Sequence, residues 1–266
     1  MSVKLYYDRP PVNGTRPSPM SDDEWQARVD LAAFYRLSAH FGWSELVFTH
    51  ISLKIPGEKQ HFLLNPLGLC FDEICASDFV VIDIEGQPVY PADRPILSAG
   101  FALHAAIHEA RPDANCVFHC HTPAGMAVAA MEEGLLPLSQ HAMMFYGRTA
   151  YLENGGMRYD RAERERIGRL LGENTIMILR NHGLLVVGST VADAFTKAFF
   201  LDQACRAQVQ ALSTNRTLVY PDSDLAQKFS DGANQKDADG NGHAELFVWP
   251  AMLRMLGRLG GTPYDR

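Results

Sequence analysis

The sequence has no apolar run long enough to cross a bilayer, and its first 25 residues contain no hydrophobic segment typical of a signal peptide. It also has no cluster of lysine and arginine, and 31 acidic residues against 24 basic ones give a formal net charge of −7. A nucleic-acid partner and a membrane partner are therefore not expected, because such partners need concentrated positive charge or long apolar segments. These absences predict a cytoplasmic protein.

Cysteine is scarce and odd in number, with five residues in a chain of 266. Most of the five lie within apolar runs, a position typical of reduced and buried thiols rather than of a disulfide framework. Hydrophobic residues make up 47% of the chain and charged residues 21%, a balance that lets a chain of this length bury one substantial core.

Apolar spacing along the chain predicts helices and strands that alternate. A capped helix is expected to begin at Ser21, and further helices are expected over 99–110, 123–131, 161–171 and 191–212. Short runs bounded by glycine, proline and asparagine predict strands, namely VFTHISLKI, HFLLNP, FVVIDIEG, the run that ends in HCH, TIMIL and LLVVG. This interleaving predicts an α/β fold with three layers.

The two ends of the chain differ in composition from its middle. Residues 1–20 are rich in proline and polar residues, and we predict an arm that lies on the surface or on a neighbouring subunit. Residues 21–212 carry the alternating elements and form the predicted domain. Residues 213–266 are predicted to be a polar excursion followed by a terminal segment that packs on the same domain.

Two histidines stand one residue apart in VFHCHTPAG, residues 117–125. Side chains alternate along a strand, so Val117, His119 and His121 are predicted to share one face, and Cys120 is predicted to lie on the other. Two imidazoles on one face can converge on a single metal ion, although hydrogen bonding at a strand end would also explain the pair. A metal site needs a third ligand.

The segment RNHG supplies that ligand in the second half of the chain. His182 lies between the apolar runs TIMIL and LLVVG, so a turn is expected to place its ring at the end of a strand. A histidine in a turn is more often a hydrogen-bonded turn residue than a ligand, but together with the H-x-H pair the metal interpretation gains weight.

The chain resembles the class II aldolase/adducin family through FTHIS, LLNPLG, RPDANCVFHCHTPAG and ILRNHGLLVVG, which occur in order between about Trp25 and Leu212. GWSELVFTHIS and AGFALHAAIHEARPD are most similar to the adducin head and its bacterial relatives. The resemblance implies a three-layer α/β/α fold around a mainly antiparallel or mixed sheet, usually in a homotetramer with sites between subunits. It implies one divalent metal ion per subunit held by His119, His121 and His182, with zinc expected and manganese, iron or cobalt left open.

The sequence departs from the sugar-phosphate aldolases of that family at one position above all. There a glutamate, four residues before the histidine that matches His104, is a metal ligand and acid/base, whereas this chain has Gly100. His104 and His108 themselves lie four apart on one helical face and are interpreted as packed or capping residues.

The resemblance also indicates where a substrate would bind. The positions that contact phosphate in the aldolases correspond here to Thr49, Asn65, Gly68 and Ser98, while His50 and Leu67 would crowd a phosphate. A phosphorylated ketose is therefore not the expected substrate.

Three groups are predicted to replace the missing acid/base. His50 lies beside the predicted substrate pocket, His141 falls near the position of a tyrosine that the aldolases take from a neighbouring subunit, and Tyr146 is close to it in sequence. A purely structural role is the alternative for each histidine.

Three neutral imidazoles leave coordination positions open, an arrangement typical of catalytic metals. The ion would polarise a carbonyl and stabilise an enolate, which serves both aldol cleavage and decarboxylation. Decarboxylation needs no base to remove a hydroxyl proton, so the absence of the glutamate favours it. We therefore predict a lyase for a small hydroxy or keto compound. Two alternatives stay open, namely an adducin-head-like binding module without catalysis and an Fe(II) oxygenase.

Overall fold

The computed structural model describes residues 20–57, 60–91, 93–153, 160–238 and 240–266. Its helices are α1 Asp22–His40, α2 Ser98–Ala110, α3 Pro123–Ala129, α4 Gln140–Met143, α5 Arg161–Leu171, α6 Val191–Ser213, α7 Ser223–Ala233 and α8 Trp249–Leu259. Its strands are β1 His50–Lys54, β2 Phe62–Leu64, β3 Val80–Ile82, β4 Pro88–Tyr90, β5 Cys116–Cys120, β6 Thr149–Leu152, β7 Ile176–Leu179 and β8 Gly183–Gly188. The predicted arm lies outside these residues except for Met20.

All eight strands form one sheet in the order β4-β3-β2-β1-β5-β8-β7-β6. Neighbouring strands are antiparallel except β6 and β7, which are parallel. The prediction of a mainly antiparallel or mixed sheet is confirmed. The centre of the sheet is β1, β5 and β8, with His50 opposite His119 and His119 opposite Leu185.

Helices cover both faces of the sheet, which gives the three predicted layers. Buried residues of α1, α3, α6 and α8 pack on one face together with Phe118 and Cys120. Buried residues of α2 and α5 pack on the other face together with Val117 and Leu185. Since residues alternate between the faces, His119 lies on the same face as Val117, as the strand pattern predicts, and this is the face covered by α2. Cys120 lies on the other face and is part of the core.

Local capping fixes where the helices begin. The side chain of Ser21 accepts a hydrogen bond from the backbone N–H of Glu24 at the start of α1, as predicted. Thr122 does the same for Gly125 at the start of α3, whose first residue is Pro123. The Thr-Pro-Ala-Gly sequence after the paired histidines therefore turns the chain sharply from β5 into a helix.

Three elements depart from the sequence-based expectation. The polar stretch after residue 212 contains α7, whose apolar contact with the body is small because Ala226 and Ser230 are its only buried residues. The strands β4 and β6 lie at the two edges of the sheet, and each has only three or four residues, too few for a clear alternation.

Two negative expectations concern the whole chain. All five cysteines are free thiols, with Cys70 exposed and the other four buried, which agrees with the expectation of reduced thiols. In the part of the chain that the structure describes, no helix is both long and apolar enough to cross a membrane.

Candidate metal centre

The three histidines predicted as ligands meet at one end of the central strands. His119 is the fourth residue of β5, His121 follows that strand directly, and His182 precedes β8. One nitrogen of each ring lies within 4.8 Å of the others. The ring centroid of His182 is 4.8 Å from that of His119 and 4.9 Å from that of His121.

Hydrogen bonds fix the tautomers of the first pair. The Nδ1 of His119 lies 2.9 Å from the carbonyl oxygen of Leu184, and the Nδ1 of His121 lies 2.6 Å from Oε2 of Glu45. Both oxygens can only accept, so both Nδ1 atoms carry the proton. In the neutral rings the two Nε2 atoms then present lone pairs, and these atoms are 2.9 Å apart.

Backbone geometry explains the Asn-His-Gly sequence. Asn181 has a φ of 54°, a left-handed conformation that asparagine tolerates better than most residues. A Cβ at Gly183 would lie 2.5 Å from the carbonyl oxygen of Cys120 and 2.8 Å from Cδ2 of His121. Glycine at 183 thus lets β8 approach β5 closely enough for His182 to join the pair.

Glu45 is a site residue that the sequence did not reveal. Its carboxylate reaches His121 from the segment between α1 and β1, and 47% of its side chain is exposed. The segment is conformationally unusual, because Leu46 and Thr49 have φ values of 52° and 63° although neither is glycine. Left-handed backbone at a β-branched residue such as Thr49 is costly and tends to occur at functional sites.

Replacing Glu45 by glutamine should weaken zinc binding by about 10- to 100-fold, because the carboxylate orients the imidazole of His121 and makes it a better donor. The dissociation constant, measured by competition with a chromophoric chelator, tests this. Glu132→Gln is the matched control, since its carboxylate is a surface group outside the cluster, and it should bind zinc like the wild type. Equal affinity in all three proteins would show that Glu45 does not support the ligand.

A line of buried polar groups continues from the triad between the sheet and α2. The ring of His50 lies 6.2 Å from that of His119 and 4.2 Å from that of His104, measured between centroids. The hydroxyl of Ser52 lies 2.7 Å from Nδ1 of His104 and 2.8 Å from Nε2 of His108. His104 and His108 are therefore packed residues, as the sequence suggested, and Ser52 is the partner that sequence spacing could not identify.

Which atoms donate and which accept in this series of hydrogen bonds follows from His108, the last residue in it. Nδ1 of His108 lies 2.7 Å from the carbonyl oxygen of Ala114, so it donates, and Nε2 of neutral His108 must accept from the hydroxyl of Ser52. That hydroxyl in turn accepts from Nδ1 of His104. Nε2 of His104 is left with a lone pair, and it has no hydrogen-bond partner among the described residues.

Burial keeps these rings neutral. It lowers the pKa of His50 to about 4, against a smaller raising effect of the Gly100 backbone, and it lowers the pKa of His108 to about 4. It also holds the pKa values of His104 and His119 well below the usual value and lowers that of the less buried His182. A neutral imidazole is the form that binds metal, so the centre is ready to bind metal at pH 7.

The residues predicted to bind substrate have different environments. Thr49 is buried and its hydroxyl has no partner in the described chain, whereas Gly68 is exposed with a φ of 105°. The side-chain oxygen of Asn65 lies 2.8 Å from the hydroxyl of Tyr35, so this amide ties the end of β2 to α1. Ser98 begins α2, but its side chain lies outside what the structure describes.

The predicted proton donors from the middle of the chain lie away from the triad within one subunit. The ring of His141 in α4 packs 5.0 Å from that of Phe200, measured between centroids. It lines a cleft of about 610 Å³ near Val187, at the far end of β8 from His182. Tyr146 is partly buried in the turn after α4, where its carbonyl accepts a hydrogen bond from Ser230.

The fold and these motifs together define the family. The model of the class II aldolase and adducin N-terminal domain matches residues 29–209, and the chain belongs to this family. A Caulobacter vibrioides protein that is named provisionally as a class 2 aldolase is 46% identical over 90% of this chain and 92% of its own length. Alpha-adducin of Rattus norvegicus is 39% identical over 96% of this chain, which spans 37% of that protein.

Solved structures give the same family. An aldolase II superfamily protein from Pseudomonas syringae has a TM-score of 0.86 at 44% identity and is matched over 98% of its chain and 93% of this one. L-fuculose 1-phosphate aldolase from Glaciozyma antarctica PI12 has a TM-score of 0.80 at 28% identity, with 97% of its chain and 94% of this one covered. The predicted class II aldolase-like fold is thereby confirmed.

The donor set fits a divalent cation. The Nε2 atoms of His119 and His121 lie 2.9 Å apart, and if both rings are neutral their lone pairs repel each other unless a positive charge lies beside both. The carboxylate of Glu45 adds a negative charge behind His121. Three imidazoles without a thiolate are typical ligands of zinc and of other first-row divalent ions.

Proposed function

We propose that this protein is a metal-dependent lyase that cleaves or forms a carbon–carbon bond in a small hydroxy or keto compound. The observation that carries the proposal is the convergence of three imidazoles, two of them with Nε2 atoms 2.9 Å apart, at the end of the central strands. Family membership supports it, because aldolases share this fold.

A divalent ion held by His119, His121 and His182 would polarise a carbonyl group and stabilise the negative charge that develops when the adjacent bond breaks. The protein supplies the orientation of the ligands. Leu184 and Glu45 hold the first two rings by their Nδ1 protons, so that each Nε2 faces the centre. Three imidazoles from the described part of the chain would leave room on the ion for two oxygens of a substrate.

The absence of a side chain at Gly100 helps to decide between aldol cleavage and decarboxylation. Aldol cleavage must remove a hydroxyl proton, whereas loss of carbon dioxide from a β-keto acid requires no such base. His50 is the buried titratable group next to the triad, and its low pKa makes it a poor base at neutral pH. We therefore favour decarboxylation of a short keto acid over cleavage of a sugar phosphate.

A panel of substrates tests the proposed function. Zinc-loaded protein is incubated with short β-keto acids and hydroxy ketones, and the release of carbon dioxide or aldehyde is followed. Turnover should require the metal and should be lost in His182→Ala. If no compound in the panel turns over while the protein is fully loaded, the lyase proposal fails.

A second candidate function is that of a binding module. It is favoured by the 39% identity to alpha-adducin of Rattus norvegicus, which extends over nearly the whole of this chain. The same panel discriminates between the two, because a binding module would be inert even when loaded with metal.

We further propose a cytoplasmic homotetramer in which His141 or Tyr146 of one subunit reaches the triad of the next. Because His141 lies at the far end of β8 from its own His182, only a neighbouring chain could bring it there. Light scattering at micromolar concentration should give the mass of four chains. A monomer would contradict both the assembly and the shared site.

The shared site predicts complementation between inactive variants. His141→Ala and Tyr146→Phe identify the donor, since loss of an acid or base lowers turnover by about 10²- to 10⁴-fold while the metal stays bound. When that variant is mixed with His182→Ala and reassembled, hybrid interfaces should regain activity because some pair an intact triad with an intact donor. Mixtures no more active than their components would place the donor in the same chain as the triad.

A further inference from the structure

The imidazole of His50 fills the space in front of Gly100. A Cβ built on Gly100 would lie 2.5 Å from Cε1 of His50, 3.1 Å from its Nδ1 and 3.2 Å from its Nε2. Real Cβ atoms essentially never approach another atom as closely as 2.5 Å. Gly100 lies in the first turn of α2 without a left-handed φ, so its backbone would accept any residue. The glycine is there for space rather than for conformation.

His50 cannot move aside easily. It is 4% exposed and its ring lies against that of His104 at 4.2 Å between centroids. His104 is held in turn by Ser52, whose hydroxyl is fixed between His104 and His108. On its other side His50 is paired across the sheet with His119. The ring is therefore held between α2 and the triad.

The same ring has unused hydrogen-bonding capacity. The backbone of Gly100 interacts with the His50 ring and raises its pKa, but no described group makes a hydrogen bond of good geometry to either ring nitrogen or to the hydroxyl of neighbouring Thr49. Buried polar atoms without partners cost free energy and are rare in folded proteins. These atoms lie beside the triad, where a ligand of a bound metal could supply the partner.

We propose that residues 50 and 100 form an exclusive pair: the space between β1 and α2 holds either the imidazole of His50 or a side chain at position 100, but not both. We also propose that His50 hydrogen-bonds a small oxygen ligand of a metal at the triad. The second half of this inference rests on the proposed function, because it assumes a metal at the triad. The first half is a matter of packing and stands without a metal.

Metal-free protein tests the exclusion by urea unfolding. Gly257 lies in α8, and a Cβ added there would have no other atom within 4 Å, so Gly257→Ala should raise the midpoint by about 0.3 M through helix propensity. Gly100→Ala should instead lower the midpoint when His50 is present and raise it in the His50→Ala background. A higher midpoint for Gly100→Ala with His50 intact would overturn the exclusive pair.

Cobalt-loaded protein tests the ligand contact. Acetohydroxamic acid, which offers two oxygens to a metal, is titrated while the visible cobalt spectrum is followed. His50→Phe keeps a ring against His104 but removes both nitrogens, and it should bind the probe about tenfold more weakly at unchanged cobalt content, the loss expected for one hydrogen bond. Equal affinity would overturn the contact. If no variant binds cobalt, the proposed function and the contact fail together, while the urea data still decide the exclusive pair.

Discussion

Protein in which His119 is replaced by alanine should bind zinc at least about 100-fold more weakly than the wild type, since even the loss of an outer hydrogen-bond partner of a ligand costs up to that factor. His119 is the most buried of the three predicted ligands, and its ring is anchored by the carbonyl of Leu184. Its removal leaves two imidazoles, which rarely retain an ion against water and buffer. Zinc per chain after dialysis, measured by mass spectrometry, checks the result.

His108→Asn is the matched control for this experiment. His108 is buried on the same side of the sheet, but both of its nitrogens are engaged, by Ser52 and by Ala114. This variant should keep one zinc per chain. If His119→Ala retained the wild-type amount, the ion would have to bind elsewhere.

The metal-free protein should lose stability steeply as the pH falls from 6.5 to 5. Burial lowers the pKa values of His50 and His108 to about 4, whereas histidines of the unfolded chain titrate near 6.5. Between these values the unfolded state binds protons that the folded state does not, so acid favours unfolding. As the pH rises above 6.5 the unfolded histidines also lose their protons, and the effect fades. Each such histidine contributes a slope of up to about 1.4 kcal/mol per pH unit.

Urea unfolding at pH 7.5, 6.5, 5.75 and 5 measures that slope. His108→Asn should reduce it by about 1.4 kcal/mol per pH unit, whatever its effect on stability at pH 7.5. His40→Gln, at the exposed end of α1, serves as the surface control for the removal of one histidine. A wild-type free energy of unfolding that does not vary between pH 6.5 and 5 would contradict the buried neutral state of these rings.

The sequence predicts the fold well where local signals are strong. The helix expected over 161–171 is α5 to the residue, because Asp160 caps it and charged residues alternate with an apolar stripe. The helix expected over 191–212 is α6 with one further residue. In contrast, α7 buries so little apolar surface that its composition is that of a polar loop. The sequence signal that could have revealed α7 is its N-cap, Asp222, whose side chain accepts a hydrogen bond from the backbone N–H of Leu225.

The residues of the site also differ in whether local sequence could predict their contacts. Two of the predicted ligands, His119 and His121, are separated by one residue on a strand, so local geometry alone placed them together. Glu45 is 76 residues away from its partner His121, and the contact depends on how the segment after α1 folds back over the sheet. The crowding of Gly100 by His50 is likewise a tertiary contact between a strand and a helix, and no spacing rule encodes it.

The strand order places the site at the centre of the sheet, away from its edges. The triad and His50 belong to β1, β5 and β8 or directly adjoin them, and these strands have neighbours on both sides, whereas the edges of the sheet are the short strands β4 and β6. Substitutions, insertions or new partners at those edges would leave the positions of the central side chains unchanged, because four residue pairs align β1 with β5 and five align β5 with β8. The geometry of the site is thus set by strand pairs at the centre of the sheet and not by its edges.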